Sequence, residues 1–239
     1  MKLETRFGDM KLWIIQDDDY STLRNVKGCE DFCDLPATRT DAVEIQKLAT
    51  MLGIPDENIR QFHSSTKKDL NRYYNELKKE YNKLMKKEDD VFLLVYCSGH
   101  GVTSSCKQVY VLDKDKDATF NIEQKLRMMA DKFENFLHIF AIYDVCQSDL
   151  SNMPELLAVR GRQELPGHSS DSSDTGNFSE TATVPYFHIS AARPGGTAAA
   201  DAGFATKCLK FALKEAKRDI SKQNLIEFPR AWSRKFRQV

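Results

Sequence analysis

Apolar residues run along this chain in two alternating ways, as short unbroken stretches and as longer stripes at helical spacing. KLWIIQ (11–16) is a short apolar run ending in the turn-like DDDY (17–20), which predicts a buried strand. From Asp41 to Leu52, Val43, Ile45, Leu48 and Leu52 fall at helical spacing, and Gly53 supplies a stop. NIRQF (58–62) is a strand candidate. Ser64, Ser65 and Thr66 then offer N-caps to a long charged helix reaching about Lys87, with Leu70, Tyr73, Tyr74, Leu77, Tyr81 and Leu84 on one stripe. Its many Lys and Glu read as a solvated face with local ion pairs.

VFLLVYCSG (91–99) is the strongest strand signal, near-continuously apolar as a strand covered on both sheet faces must be. QVYVLD (108–113) predicts a shorter, peripheral strand. A helix over Ile122–Phe133 leads into FLHIFAIYDVC (136–146), a second fully buried strand. Composition then shifts to Ser, Thr, Gly and Pro between about 160 and 185, the mark of a flexible connector. YFHISAA (186–192) reads as another buried strand, followed by an amphipathic helix in GFATKCLKFALKEAKRDI and a basic, helical tail. Buried strands alternating with amphipathic helices predict an α/β fold with a mainly parallel sheet and helices on both faces. Ligands in such folds bind at the carboxyl ends of the strands.

Composition narrows this picture only a little. At 239 residues, 41% hydrophobic and 29% charged, the chain is an ordinary globular one, long enough for one medium domain. Thirty-five Lys+Arg balance 35 Asp+Glu, which gives no global reason to expect a nucleic acid. The stretch from Lys207 onward has ten Lys/Arg against three Asp/Glu, but no aromatic interleaving of the nucleic-acid-binding type beyond Trp232 and Phe236. No run approaches the ~18 apolar residues of a membrane span, and the N-terminus lacks the pattern of a secretion signal. A cytoplasmic protein without membrane contact is expected. Six cysteines are too sparse for a disulfide scaffold, and Cys29 with Cys33 would make only half a zinc site.

The chemistry gathers at two strand ends. YCSGHG places His100 between Gly99 and Gly101 just past one buried strand, and IYDVCQS places Cys146 at the end of another. A thiol becomes a good nucleophile on losing its proton, and a nearby imidazole can take it. The backbone N–H groups of Gly101 and Cys146 could then receive the charge developing on a carbonyl oxygen, worth ~2.7–4 kcal/mol per donor in studied enzymes.

This order of motifs, YCSGHG, then YDVCQS, then YFHISAARPGGTAAAD, resembles the caspase-like peptidase domain over Lys11 to about Arg218. Within it the chain is most similar to the metacaspase and paracaspase branch, since DVCQS looks like the metacaspase DCCHS pattern and lacks the caspase letters. The resemblance implies a three-layer α/β/α sandwich and a cysteine endopeptidase with His100 and Cys146 as its dyad. It divides the domain into a large-subunit-like part (1–150), an intersubunit-type linker (151–185) and a small-subunit-like part (186–239).

By the same resemblance Asp41, Ser98, Asp144 and Ser190 line the substrate pocket. Two carboxylates in a partly desolvated slot favour a guanidinium or ammonium, so cleavage after Arg or Lys is expected. Caspases use arginines there to hold an aspartate; Leu35 stands where one is expected, though Arg39 is close by. The linker offers Arg160 and Arg162 to a basic-specific enzyme and Asp171 and Asp174 to an aspartate-specific one, so self-processing suits either. Many metacaspases need calcium. Asp113, Asp115 and Asp117 are hard oxygen donors, but intervening lysines and the lack of an EF-hand Gly and Glu make an exposed turn the expectation. No cofactor is assigned, and calcium stays open. Protein or peptide substrates are the expected partners, with a monomer favoured over a dimer. An Asp-cleaving peptidase and a catalytically idle protein-binding module remain the alternatives.

Overall fold

The structure is a computed structural model that describes residues 9–25, 29–30, 32–85, 90–104, 107–113, 119–133, 136–145, 148–149 and 186–190. Its centre is a five-stranded parallel sheet built from β1 (Asp9–Gln16), β2 (Ile59–His63), β3 (Val91–Gly99), β7 (Leu137–Val145) and β9 (Tyr186–Ser190), in the order β2-β1-β3-β7-β9. Every residue of β3 and β7 is buried, as their unbroken apolar runs require. A smaller sheet, in the order β6-β5-β4-β8, comprises β4 (Gly101–Ser104), β5 (Lys107–Val111), β6 (Thr119–Phe120) and β8 (Ser148–Asp149). The expected peripheral strand at 108–113 is its β5.

Alternation along the strands sorts the two faces of the large sheet. Trp13, Ile15, Leu93, Val95, Cys97, Ile139, Tyr143 and Val145 pack with α3 (Lys67–Leu84) and α4 (Ile122–Lys132) in one core. The opposite residues, Leu12, Ile14, Leu94 and Tyr96 among them, are equally buried and face the side where α2 (Ala37–Leu52) contacts β1 and β3. Helices on both faces of a mostly parallel sheet give the caspase-like α/β architecture.

Local chemistry fixes where the helices start and stop. The Thr66 hydroxyl accepts the N–H of Asp69 while the Asp69 carboxylate accepts the N–H of Thr66, a capping box at the head of α3. Asn121 caps α4 through the N–H of Gln124. Gly53, with φ of 83°, closes α2 in the left-handed conformation that glycine adopts at least cost. This helix begins at Ala37, four residues before the expected start. Pro36 precedes it with a φ already helical, and its first turn is too polar for an apolar stripe to show. The buried face therefore runs through Thr38, Asp41, Ala42, Ile45, Leu48, Ala49 and Leu52, while Val43 is exposed.

The chain reaches β2 from β1 on one side and β3 on the other, so the strand order reverses between β1 and β3. In open α/β sheets the ligand crevice lies at the carboxyl ends of such a pair. Among the described residues no helix is long and apolar enough to cross a membrane.

Candidate active site

β3 and β7 run parallel and in register from Val91 opposite Leu137 to Gly99 opposite Val145. His100 follows the first of these last two residues, and in sequence Cys146 follows the second. Cys146 itself lies outside the described residues, as do Arg160, Arg162, Asp171, Asp174, Asp115 and Asp117 and the expected C-terminal helices.

His100 is held on three sides. Its backbone N–H donates to the Tyr20 hydroxyl at 2.8 Å, its carbonyl accepts from Val111 N–H at 3.0 Å, and its Nε2 lies 2.9 Å from the Cys33 carbonyl. A carbonyl can only accept, so Nε2 carries the ring proton and Nδ1 is left as the acceptor. Tyr20 and Phe32 meet the imidazole edge-on at centroid distances of 4.5 and 5.0 Å. Burial pulls the His100 pKa below its ordinary value, opposed by the Cys33 carbonyl and the charge of Asp34. A neutral imidazole with its lone pair on Nδ1 is the form that can accept a proton from a thiol.

Gly99 explains itself by crowding. Its φ is 150°, and a Cβ placed there would stand 2.5 Å from the Tyr110 hydroxyl and 2.7 Å from the Tyr20 hydroxyl. The glycine ahead of the histidine thus admits two tyrosine hydroxyls where a side chain would stand. Gly101 stands opposite Tyr110 in the β4–β5 pair. Antiparallel bonding alternates, and the Val111-to-His100 bond puts Gly101 at a non-hydrogen-bonded position, with its N–H turned away from β5. That orientation suits an oxyanion donor.

Three of the four expected pocket residues come together on one face of the sheet. Ser98 and Asp144 are register partners on β3 and β7, and Asp41 lies on the inner face of α2, which packs on that side. All three are buried. Burial, then the nearby charge of Asp41, push the Asp144 carboxyl up to about 6, against a hydrogen bond donated by the Tyr96 hydroxyl at 3.2 Å. Ser190 is different. It pairs with Tyr143, one residue short of Asp144, which puts it on the α4 face, away from the carboxylates.

Arg39, the residue that raised the aspartate-binding alternative, has a partner. Asp18 accepts hydrogen bonds from both Arg39 and His63. Burial opposes ionisation of Asp18, but these two bonds outweigh it and hold the carboxyl below its usual range. Asp113 corrects the expectation of an exposed turn: it is buried, and its carboxylate accepts the N–H of Leu23 at 2.8 Å in α1 (Ser21–Arg24). Among the described residues no group of three or more His, Cys, Asp or Glu could hold a metal.

Sequence reasoning missed Tyr20, Cys33 and Tyr96. Tyr20 sat in a stretch read only as a turn, Tyr96 inside a strand read only as core, and Cys33 acts through its main-chain carbonyl, which every residue type carries.

A mainly parallel sheet covered on both faces, with a glycine-flanked histidine at its carboxyl edge, defines the class. The chain belongs to the caspase-domain family, whose family model, described as Caspase domain, matches residues 14–232. Membership makes it a member of a cysteine-type peptidase family with protein substrates. A search of curated proteins found no match.

Proposed function

We propose that the chain is a cysteine endopeptidase of the metacaspase and paracaspase type, cutting after Arg or Lys through a Cys146/His100 dyad. The observation that carries this reading is the register of β3 against β7. Gly99 and Val145 are opposite rungs, so the chain enters positions 100 and 146 from neighbouring strands about 5 Å apart.

The steps follow from the groups. Nδ1 of His100 takes the proton of Cys146, and the sulfur attacks the scissile carbonyl carbon. The N–H groups of Gly101 and Cys146 receive the oxyanion. Collapse breaks the C–N bond, the leaving amine takes the proton from His100, and a thioester remains. Water, deprotonated by the same imidazole, releases the acid and restores the thiol.

The basic preference is supported by Asp41 and Asp144 facing one slot, with Ser98 beside them, and by Arg39 being bound to Asp18. A guanidinium entering that slot would pair with two carboxylates that otherwise repel each other. The linker arginines Arg160 and Arg162 make the chain a substrate for itself.

Fluorogenic peptides with Arg, Lys or Asp at the cleavage position test this directly, on wild type and Cys146→Ala, with and without calcium. Hydrolysis of the Arg and Lys peptides by wild type alone is expected. Cutting only after Asp would overturn the pocket assignment. No turnover of any peptide would overturn the enzyme. On denaturing gels, wild type is expected to yield two fragments parted in the linker, and Cys146→Ala one band.

A further inference from the structure

Tyr20 contacts His100 itself and two of the residues around it, Val111 and Phe32. Its side chain is fully buried, and its hydroxyl sits between two backbone groups, accepting from His100 N–H at 2.8 Å and reaching the Val111 carbonyl at 3.5 Å. The Val111 N–H to His100 carbonyl bond, at 3.0 Å, is one half of a hydrogen-bonded antiparallel pair. The other half would run from His100 N–H to the Val111 carbonyl. The tyrosine hydroxyl occupies that place and relays it, opening the ladder by the width of one oxygen where β3 ends and β4 begins.

The same residue reaches the far side of the imidazole through its backbone. Tyr20 N–H donates to Asp34 Oδ1 at 2.9 Å, and Asp34 adjoins Cys33, whose carbonyl binds Nε2. Leu35 N–H, donating to the Asp18 carbonyl at 2.8 Å, ties the same loop to the same segment. Between these two anchors the Tyr20 ring lies edge-on to the imidazole. Gly99 is the cost of seating the hydroxyl, since any Cβ there would strike it.

We infer that Tyr20 is a positioning residue for His100, its hydroxyl setting the backbone height of the imidazole and its ring and main chain setting the ring plane. The inference rests on the proposed function only in naming what His100 does; the bracket itself stands on the contacts. A ring aimed through three attachments loses little entropy when it takes and returns a proton, and small misplacement of an acid–base group slows the chemical step. In the proposed enzyme, binding of substrate depends instead on the Asp41 and Asp144 carboxylates on the α2 face.

Tyr20→Phe removes only the hydroxyl and keeps the ring. Its kcat on the best Arg or Lys peptide is expected to fall about 10-fold, with KM within about twofold. In Cys146→Ala protein, hydrogen exchange of the His100 amide read by NMR is expected to speed up about 10-fold or more on adding Tyr20→Phe. Tyr81→Phe removes another fully buried hydroxyl, one with no hydrogen-bond partner among the described residues and packed in the α3 core, and is expected to leave both readouts unchanged. An unchanged kcat, or an unchanged His100 amide, would overturn the inference, as would parallel losses in kcat and melting temperature of the size a general loosening gives. Should wild type cleave nothing, the proposed function fails, and the amide comparison still decides whether the bracket holds the histidine.

Discussion

Between pH 8 and pH 5 the charge inside the proposed pocket changes, because burial and the neighbouring Asp41 bring the Asp144 carboxyl to about 6. Above that value both carboxylates can meet a cation; below it Asp144 holds a proton and the attraction weakens. KM for Arg and Lys peptides is therefore expected to climb as pH drops through about 6. Asp144→Asn should flatten that climb and lower kcat/KM at pH 8 by ~30-fold or more, the scale of removing one partner from a buried charge pair. A KM that stays level from pH 8 to 5 in wild type would remove Asp144 from the pocket. Gly99→Ala meets a different obstacle. Its φ of 150° and the two tyrosine hydroxyls leave no place for a methyl group, so a loss of about 1–3 kcal/mol in denaturant unfolding is expected, together with collapse of activity.

At the scale of elements, sequence pattern was most informative where burial is complete. β3 and β7 were legible because strands covered on both faces must be apolar throughout, and α3 because its stripe and caps agree. The short strands β4, β6 and β8 and the one-turn α1 were not, since two to four residues carry no period. For α2 the expected start fell late, because its first four residues, Ala37 to Thr40, put only Thr38 on the buried face and so show no apolar stripe. The capping box offers a clean separation of stability from chemistry. Thr66→Ala is expected to cost about 1 kcal/mol of unfolding free energy while kcat/KM stays within about twofold, because α3 packs on the face away from the carboxylates. A large drop in turnover would mean that α3 reaches the site after all.

Across the whole molecule, the site draws on positions far apart in sequence, and that decides which of its parts could be read in advance. Motif order pointed to His100, Ser98 and Asp144, and a looser resemblance to Asp41, as members of the proposed site. The bracket around the histidine was not legible, because it is made of main-chain groups and of a tyrosine 80 residues upstream. The same region stores a pH dependence of folding. Asp17, buried beside Asp113, is pushed up to about 7 by desolvation, while backbone N–H groups of Asp113 and Ser64 pull the other way. From about pH 4 to 7 the native chain keeps a proton that the unfolded chain has released, so stability falls as pH rises across that window. Asp17→Asn carries no such proton, and its advantage over wild type in denaturant melts should widen from pH 4 to pH 8, by on the order of 1–3 kcal/mol. A gap that is constant with pH would show that Asp17 ionises normally.

The matched ladder between β3 and β7 has a last consequence. In the proposed enzyme, spacing between base and nucleophile is metered by hydrogen-bonded rungs, and the intervening polypeptide has no part in the measurement. Lengthening that route, for instance by a glycine-serine insert between Lys114 and Ala118, adds only a slowly growing closure entropy, roughly 0.6 kcal/mol for each doubling. A shift of one strand against the other by a single residue would instead send alternate side chains to the wrong side of the sheet. Such a scaffold tolerates baggage in its connections and no slippage at its centre.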